Sequence, residues 1–302
     1  MKVSVVIATY NRASTLLRSV ESVLTQTWSD LEVIIVDDGS TDETHRVVAG
    51  INSSDKRVHV IVLKKNAGAT VARNKGLDAA TGDFIMVWDS DDVLYPQAIA
   101  VAMKIFQEHS DVGVVSAPCR QLLRGEIVPY PSRAAGYLTL GQIISKYVPN
   151  NEKVRVVRRE FFATVRYQAR NIDFMVNGYL AKQTCWYHLS EELGDVYLES
   201  DGVSLTLDRK VFKPNRSIER VPHLIRYLAD FAVDLKQNAP YRFGALSYGV
   251  SIGLLLMRKK REAIVYAWQA MQYDWSLKHA LWFFFVLLPG SGYVLRLYTG
   301  AA

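Results

Sequence analysis

The sequence predicts an α/β fold: a doubly wound, mixed but mostly parallel sheet, followed by a C-terminal helical extension. Two observations support this fold class. Over the first 118 residues, short, mostly apolar runs alternate with segments whose apolar residues recur at helical spacing. Beyond residue 222, only the helical pattern remains. Alternating strands and helices are typical of parallel sheets whose two faces are covered by helices.

Five apolar runs are the predicted strands, and four helices connect them. The strands are VSVVIA (3–8), EVIIVDD (32–38), VHVIVL (58–63), FIMVW (84–88) and VGVVSAP (112–118). The first helix is predicted over 14–26, and the second opens at Ser40, which stands at capping-box spacing from Glu43. The third follows a glycine-containing loop and is closed by Gly82, and Pro96 is expected in the first turn of the fourth. Ligands of such sheets bind outside the carboxyl ends of the strands.

The second half of the chain has a weaker pattern. Basic and aromatic residues accumulate over 122–212, and helices are predicted over 223–236 and 262–273. Two apolar runs, 243–257 and 280–295, flank the basic sequence RKKR, and neither reaches the ~18–20 residues that a membrane span requires. Such runs are typical either of buried core helices or of a segment that lies in a membrane interface.

Composition and charge exclude several classes of protein. With 49% hydrophobic and 22% charged residues, the chain is expected to be globular. Cys119 and Cys185 stand far apart without a CxxC spacing, which argues against a disulfide framework or a zinc site and fits a reducing compartment. The N-terminus lacks a signal-peptide pattern, so we expect a cytoplasmic protein. The apolar runs leave open a peripheral position on the inner face of the cell membrane.

Several ligand-binding patterns are missing from the sequence. Neither GxGxxG nor GxxxxGK[ST] occurs, which removes the dinucleotide-binding and P-loop interpretations. The net charge of +6 is modest and the basic residues are scattered, so nucleic-acid binding is disfavoured.

Three carboxylates follow the fourth predicted strand within four positions: Asp89, Asp91 and Asp92. Like charges this close repel one another, so their grouping needs a cause. One Asp could cap the helix near Pro96 while the other two are solvated, but capping accounts for one carboxylate only. Alternatively, a hard divalent cation, Mg²⁺ or Mn²⁺, would bind the three oxygens and leave positions open for substrate phosphates. The strand-end position favours this metal–phosphate site.

Polar residues also follow the first and second strands. Asp38 could accept hydrogen bonds from a base or a ribose, although Asp–Gly–Ser is also an ordinary turn. Thr9 and Tyr10 could line a base pocket, and Asn11 with Arg12 is common in turns. Each cluster alone is a weak signal, and their placement at successive strand ends carries the argument.

Four motifs in this order resemble those of the inverting family 2 glycosyltransferases. They are TYNR (9–12), DDGS (37–40), N-x-G-x-x-x-A-R-N-x-G (66–76) and W-D-S-D-D (88–92). The resemblance covers residues 1–118 specifically and continues more loosely to residue 212. It implies a glycosyltransferase A-type fold, a nucleotide-sugar donor and a metal held by an Asp-x-Asp motif.

The resemblance also implies roles for individual residues. Thr9 matches the first-strand contact to the nucleotide, and Asp38 matches the acid that binds the uracil or the ribose. Arg73 matches the basic residue near the diphosphate or its metal-binding acids, and Asp89 and Asp91 match the outer acids of Asp-x-Asp. The implied nucleotide-sugar-binding set is Thr9, Tyr10, Asn11, Arg12, Asp38, Asn66, Gly68, Arg73, Asp89, Ser90 and Asp91, and the implied metal ligands are Asp89 and Asp91, with Asp92 as a further candidate.

Transfer with inversion also requires a base that takes the proton of the acceptor hydroxyl. The resemblance implies the Asp of a Glu–Asp pair, for which Asp173, followed by Phe174, is the best match. Ile172 stands where the Glu is expected, which is a departure from the family pattern. Glu191 and Glu192 are the alternatives.

A lone histidine and two aromatic residues follow the predicted base. His188 could be an additional metal ligand, but a packed or acceptor-lining histidine is more common. Trp186 and Tyr187 could stack on a sugar or belong to the core.

The predicted function is metal-assisted sugar transfer from a nucleotide diphosphate sugar, with UDP as the expected nucleotide, to a hydroxyl of a glycan or lipid-linked acceptor in polysaccharide or glycoconjugate synthesis. Transfer to a polyprenyl phosphate and non-catalytic nucleotide-sugar binding are the alternatives. The predicted domains are a catalytic domain over 1–220, with donor binding in 1–118 and the acceptor side in 119–220, and a helical region over 221–302 that is a candidate for contact with a membrane surface.

Overall fold

The computed structural model describes residues 1–129, 133–145, 153–168, 174–198 and 214–299. The strands of these residues are β1 (Val3–Thr9), β2 (Leu31–Asp37), β3 (Val58–Val62), β4 (Phe84–Asp89), β5 (Val93–Leu94), β6 (Val112–Ala117), β7 (Arg120–Leu123), β8 (Glu126–Val128), β9 (Gly136–Leu138), β10 (Val154–Arg158), β11 (Cys185–His188) and β12 (Gly194–Tyr197). The helices are α1 (Leu16–Leu24), α2 (Thr44–Ser54), α3 (Ala69–Ala79), α4 (Ala98–Glu108), α5 (Leu140–Ser145), α6 (Phe174–Ala181), α7 (Pro214–Asp230), α8 (Ala232–Asn238), α9 (Pro240–Leu256), α10 (Lys260–Tyr273), α11 (Leu277–Leu287) and α12 (Ser291–Thr299).

Eight strands form one large sheet in the order β3-β2-β1-β4-β10-β6-β11-β9. Neighbours from β3 to β4 are parallel, whereas β10 runs antiparallel to both β4 and β6. The predicted mixed and mostly parallel sheet is therefore confirmed. Strands β2 and β3 lie on one side of β1, and β4 lies on the other, so the strand order reverses between β1 and β4. Open α/β sheets have their ligand crevice at such a reversal.

The helices on the sheet are fixed by close packing. In α1, the residues Leu16, Val20 and Val23 are fully buried at the spacing that places them on one helix face. In α3, a Cβ at Gly76 would lie 2.2 Å from Cγ1 of Val6 on β1, so only glycine allows this approach. The position of α3 over β1 determines where the other side chains of α3 point.

Three predicted helix ends differ from the structure. Helix α2 begins at Thr44, whose backbone N–H donates to Oδ1 of Asp42 at 3.0 Å, and Ser40 does not cap it. The hydroxyl of Ser40 instead donates to Asp37 at 2.6 Å, which removes it from the helix start. Pro96 precedes the N-cap of α4, and Gly82 lies beyond the end of α3.

Contacts divide the chain into two compact units. The first comprises Met1–Thr139, Val148–Tyr167 and Tyr179–Thr206, and the second comprises Leu140–Tyr147, Gln168–Gly178 and Leu207–Ala302. The described strands all lie in the first unit. The domain boundary expected at residue 220 stays a prediction.

The C-terminal region is helical, as predicted. The helix expected over 223–236 is divided into α7 and α8 at Phe231, and the last apolar run is divided into α11 and α12 at Pro289 and Gly290. Gly290 has a positive φ of 74°, which glycine adopts without strain. In the part of the chain that the structure describes, no helix has both the length and the apolar character needed to cross a membrane.

Candidate active site

The carboxyl ends of β1, β2 and β4 lie side by side. Thr9 pairs with Asp37 in the register of β1 and β2, and Ala8 pairs with Asp89 in the register of β1 and β4. The polar clusters that follow these strands in the sequence therefore meet at one edge of the sheet, at the reversal of strand order.

Asp38 holds the loop that contains Asn66 and Gly68 in place by hydrogen bonds. Its buried carboxylate accepts backbone hydrogen bonds from Ala67 and Gly68, each at 2.8 Å. Gly39 has a φ of 70°, and a Cβ there would lie 2.8 Å from the carbonyl carbon of Lys65. The loop is thus held against the end of β2, with Asn66 exposed. Carboxylate oxygens accept more than one hydrogen bond each, so Asp38 keeps acceptor capacity for a ligand.

The TYNR segment presents four different side chains at the end of β1. The hydroxyl of Thr9 is buried, and no hydrogen-bond partner for it occurs among the described residues. Tyr10 is exposed. Asn11 has a φ of 52° and accepts a hydrogen bond from the backbone of Thr41 at 2.8 Å, so it fixes the turn. The Thr9 hydroxyl is therefore a polar group at the end of β1 that the described residues leave unsatisfied.

Three acids lie together at the end of β4. Carboxylate oxygens of Asp89, Asp91 and Asp92 all lie within 4.8 Å of one another. Helix α1 holds the backbone of this turn, because Ser19 donates to the carbonyl of Asp89 at 2.8 Å and Arg18 donates to the carbonyl of Asp91 at 2.9 Å. We call these three residues the acid cluster.

Among the described residues, three cationic side chains contact the acid cluster. Nη2 of Arg73 lies 3.0 Å from Oδ1 of Asp89, and Nε of Arg12 lies 3.7 Å from Oδ2 of Asp91. Nζ of Lys153 lies 2.9 Å from Oδ2 of Asp89 and 2.7 Å from Oδ2 of Asp92. Arg12 and Arg73 were predicted at the site, and Lys153 was not.

The charges of the cluster shift one another. The Lys153 ammonium and the Arg73 guanidinium hold the pKa of Asp89 well below its usual range. Burial raises the pKa of Asp91 and of Asp92, and the charge of Asp89 adds to both effects. Burial alone would lower the pKa of Lys153, but Asp89 and Asp92 outweigh it and raise that pKa. Lys153 and Asp89 are therefore both charged at neutral pH. A further cation would stabilise the ionised forms of Asp91 and Asp92 most, because their pKa values are raised.

The acid cluster fits a hard divalent cation. All three side chains offer carboxylate oxygens, which Mg²⁺ and Mn²⁺ prefer, and they come from one turn whose backbone is fixed. Asp89 and Asp91 remain partly exposed, so an ion there would keep positions for ligands from outside the protein. Asp92 is fully buried and accepts a hydrogen bond from the backbone N–H of Tyr197 at 3.1 Å. Its side chain therefore has the least conformational freedom of the three ligand candidates. Ser90, between the acids, is buried.

Of the three base candidates, Glu191 and Glu192 lie among the described residues. Asp173 and Ile172 lie outside the described residues, and Phe174 begins α6. Glu191 and Glu192 are exposed in the segment that precedes β12. Among the contacts of the described residues, none joins either glutamate to the acid cluster.

His188, Trp186 and Tyr187 pack inside the first unit. His188 is buried, and its Nδ1 lies 3.2 Å from the Ser116 hydroxyl, to which Trp186 donates at 2.7 Å. Tyr187 stacks on His109 with ring centroids 5.2 Å apart. In the described part of the chain, His188 is not in the group of potential metal ligands. The core interpretation of Trp186 fits this packing.

Sequence reasoning missed Lys153 because its position depends on an antiparallel strand. In the register of β10 and β4, Val156 lies opposite Met86, so Lys153, three residues earlier, reaches the level of Asp89. The alternating β-branched sequence KVRVV (153–157) was the available signal for this strand.

Comparison with known proteins identifies the N-terminal part of the chain. Residues 4–131, which include all four strand-end motifs, match the family model for glycosyl transferase family 2. The chain carries a family 2 glycosyltransferase domain.

A curated relative of this family 2 domain is the succinoglycan biosynthesis protein ExoO of Rhizobium meliloti. It is 45% identical over 97 residues, which cover 32% of this chain and 27% of that protein. The chain spans well under half of the length of the curated relatives that it matches.

Two solved structures share the fold over most of this chain. S. aureus TarS 1–349, in complex with UDP-GlcNAc, is 18% identical with a TM-score of 0.66 and covers 91% of this chain and 89% of that chain. The mannosyltransferase PcManGT from Pyrobaculum calidifontis, in complex with GDP-Man and Mn²⁺, is 18% identical with a TM-score of 0.54. The match covers 99% of this chain and 81% of that chain. These likenesses confirm the predicted glycosyltransferase A-type fold.

Proposed function

We propose that this protein is an inverting glycosyltransferase that moves one sugar from a nucleoside diphosphate sugar to a hydroxyl of a glycan or lipid-linked acceptor, with Mn²⁺ or Mg²⁺ at the acid cluster. The observation that carries the proposal is the meeting of the acid cluster, the Asp38 loop and the buried Thr9 hydroxyl at the reversal of strand order. The family 2 domain supports the reaction class.

Each part of this edge has a separate task in the proposed reaction. Asp38, Thr9 and the loop at Gly68 would bind the nucleoside, and Arg73 is positioned to reach a diphosphate oxygen. Asp89 and Asp91, with Asp92, would hold the divalent ion. When bound, that ion would neutralise negative charge on the leaving diphosphate. The ligand acids are poor bases, so another group must take the acceptor proton.

We propose Asp173 as that base, with Glu191 and Glu192 as alternatives. Asp173, between Ile172 and Phe174 in the sequence, is the position that the family resemblance assigns to the base. Donor binding is proposed for residues 1–118 and acceptor binding for residues 119–220. The C-terminal helices from residue 221 are proposed as a separate region.

The identity of the donor nucleotide and of the ion rests on relatives. TarS was solved with UDP-GlcNAc, which supports UDP as the nucleotide, and PcManGT was solved with Mn²⁺, which supports a divalent ion. A relative in succinoglycan biosynthesis supports a role in polysaccharide synthesis.

A panel of nucleotide sugars tests the proposal. The purified protein should hydrolyse one UDP-sugar slowly when Mn²⁺ or Mg²⁺ is present, because water can replace a missing acceptor. Release of UDP and free sugar is measured by chromatography, with EDTA as the control. Binding of every donor without release of UDP would instead support a non-catalytic binding protein.

We also propose that α11 attaches the protein to an anionic membrane surface. Leu277, Leu281 and Phe284 form one exposed stripe on α11, and Leu281 and Phe284 are each 61% exposed. Nζ of Lys260 donates to the carbonyls of Leu287 (3.2 Å) and Leu288 (2.7 Å), which places a cation at the C-terminal end of α11.

Charge and cysteine chemistry support the same location. The segment 257–299 contains six Lys or Arg residues and two Asp or Glu residues. Apolar residues flanked by cations are typical of interfacial helices, and anionic lipid attracts nearby Lys and Arg. Cys119 and Cys185 are free thiols, in keeping with a cytoplasmic position on the inner membrane face.

Sedimentation with lipid vesicles tests the stripe. Vesicles that contain phosphatidylglycerol should bind the protein, and Leu281→Glu combined with Phe284→Glu should reduce binding by roughly tenfold or more, because both side chains would lose apolar burial. Val233→Glu is the matched control, since Val233 is an exposed apolar residue (65%) of α8. Equal sedimentation of all three proteins, or none with anionic vesicles, would contradict membrane attachment through α11.

A further inference from the structure

Lys153 occupies the space between two acids of the acid cluster. Its ammonium contacts Asp89 at 2.9 Å and Asp92 at 2.7 Å, and its side chain is 28% exposed. A divalent ion bound to the same oxygens would lie where the ammonium now lies, or close beside it. Lys153 and such an ion would therefore need the same oxygens of Asp89 and Asp92.

The backbone of Lys153 is fixed, although its side chain is long. Lys153 immediately precedes β10, which is hydrogen-bonded to β4 on one side and to β6 on the other. The four-carbon stem of a lysine lets the ammonium move by several ångströms while its Cα stays in place. The ammonium can therefore leave the acids without any movement of the sheet, provided that another anion receives it.

The charges of the described residues at the cluster already cancel. Even with all three carboxylates ionised, Arg12, Arg73 and Lys153 supply three positive charges within 3.7 Å of them. A divalent ion added alone would leave an excess of positive charge in a partly buried place, which is unfavourable. A diphosphate that arrives with the ion would remove this excess.

We propose that Lys153 couples the binding of the divalent ion to the binding of the donor diphosphate. Without a diphosphate, the ammonium holds Asp89 and Asp92 and keeps the affinity for the ion low. With a diphosphate, the ammonium would turn from the acids to a phosphate oxygen, which would leave Asp89 and Asp92 free to hold the ion. Lys153 would thus contact the donor diphosphate directly, and this proposal rests on the proposed donor site. By linkage, the ion must raise the affinity for the diphosphate by the same factor.

Mn²⁺ binding, measured by the loss of the electron paramagnetic resonance signal of free Mn²⁺, tests the coupling. Lys153→Met should bind Mn²⁺ alone at least tenfold more tightly than the unmodified protein, a gain that a merely structural role would not produce. Addition of UDP should raise the Mn²⁺ affinity of the unmodified protein at least tenfold and that of the variant much less. Lys104→Met is the control, because Lys104 is a 71% exposed lysine on α4 whose removal changes the net charge equally.

A second variant guards against unfolding, because removal of Lys153 leaves the buried Asp92 without its cation. Lys153→Gln keeps a hydrogen-bond donor near Asp92 and should show the same gain in Mn²⁺ affinity. Mn²⁺ affinities that do not rise in either folded variant overturn the proposal. Failure of UDP to bind in any condition would overturn the donor site instead, while tighter Mn²⁺ binding by both variants would still support competition by Lys153.

Discussion

Asp91→Asn is expected to reduce sugar transfer by roughly 100-fold or more, because the amide is a much poorer ligand for a hard cation than the carboxylate. The fold should survive. The backbone of Asp91 is held by Arg18 at 2.9 Å, and its side chain contacts only Arg12, at 3.7 Å, among the ion pairs of the described residues. Transfer is measured with the UDP-sugar that the panel identifies, and thermal unfolding reports the fold.

Two further variants separate the tasks of the acids. Asp78→Asn is the matched control, since Asp78 is an exposed acid on α3 that pairs with Arg166 at 3.4 Å, and it should keep full activity. Asp173→Asn should lose transfer but keep metal-dependent UDP binding, because a base acts on the acceptor and not on the donor. If Asp91→Asn transferred sugar at the normal rate, the acid cluster would not be the metal site. Transfer that survives Asp173→Asn would favour an acceptor that needs no strong base, such as a polyprenyl phosphate.

Asp38→Asn is expected to affect both stability and donor affinity. Its carboxylate accepts two backbone hydrogen bonds at 2.8 Å in a buried place, and the amide of Asn can accept only one of them. Loss of a charge-assisted bond and burial of an unsatisfied N–H should lower the free energy of unfolding by about 2–4 kcal/mol. UDP affinity should fall at least roughly tenfold, because the loop at Gly68 precedes α3, which carries Arg73. Urea unfolding and a UDP titration measure the two effects.

Asp55→Asn is the comparison for this variant. Asp55 likewise accepts a backbone hydrogen bond, from Arg57 at 2.9 Å, and a side-chain bond from the same residue, but it lies before β3. The strands β2 and β3 are parallel, so Asp55 is at the opposite edge of the sheet from Asp38. Asp55→Asn should lose stability and keep UDP affinity. If Asp38→Asn bound UDP as tightly as Asp55→Asn does, Asp38 would have no part in the donor site.

The sequence alone predicts the parts of the fold that depend on local patterns. The five mostly apolar runs form strands β1, β2, β3, β4 and β6. In β1, β2 and β6 nearly every side chain is buried, which a sheet covered on both faces requires, whereas β3 at the edge of the sheet is half exposed. The acids at the end of β4 are adjacent in sequence, so their proximity in space needs no knowledge of topology. In contrast, the start of α2 was predicted wrongly, because Asp37 binds the hydroxyl that was expected to cap it.

Other features depend on pairings between distant segments, which periodicity does not reveal. Lys153 reaches Asp89 across 64 positions of sequence, because β10 is inserted between β4 and β6. Nothing in the local sequence of Lys153 states which strand β10 will join. Arg18 also depends on pairings between distant segments. It donates to the carbonyl of Asp91, and its guanidinium lies 4.0 Å from the ring centroid of Tyr197. The role of Asp173 stays a prediction.

The central claim is that the acid cluster and the Asp38 loop form one metal-dependent site for a nucleoside diphosphate. Isothermal titration of the unmodified protein with UDP, once with Mn²⁺ and once with EDTA, tests it most directly, because it requires neither the donor sugar nor the acceptor. We expect UDP to bind at least roughly tenfold more tightly with Mn²⁺, and this difference to be lost in Asp91→Asn. Equal UDP affinity in Mn²⁺ and EDTA, or no binding of UDP in either, would contradict the account.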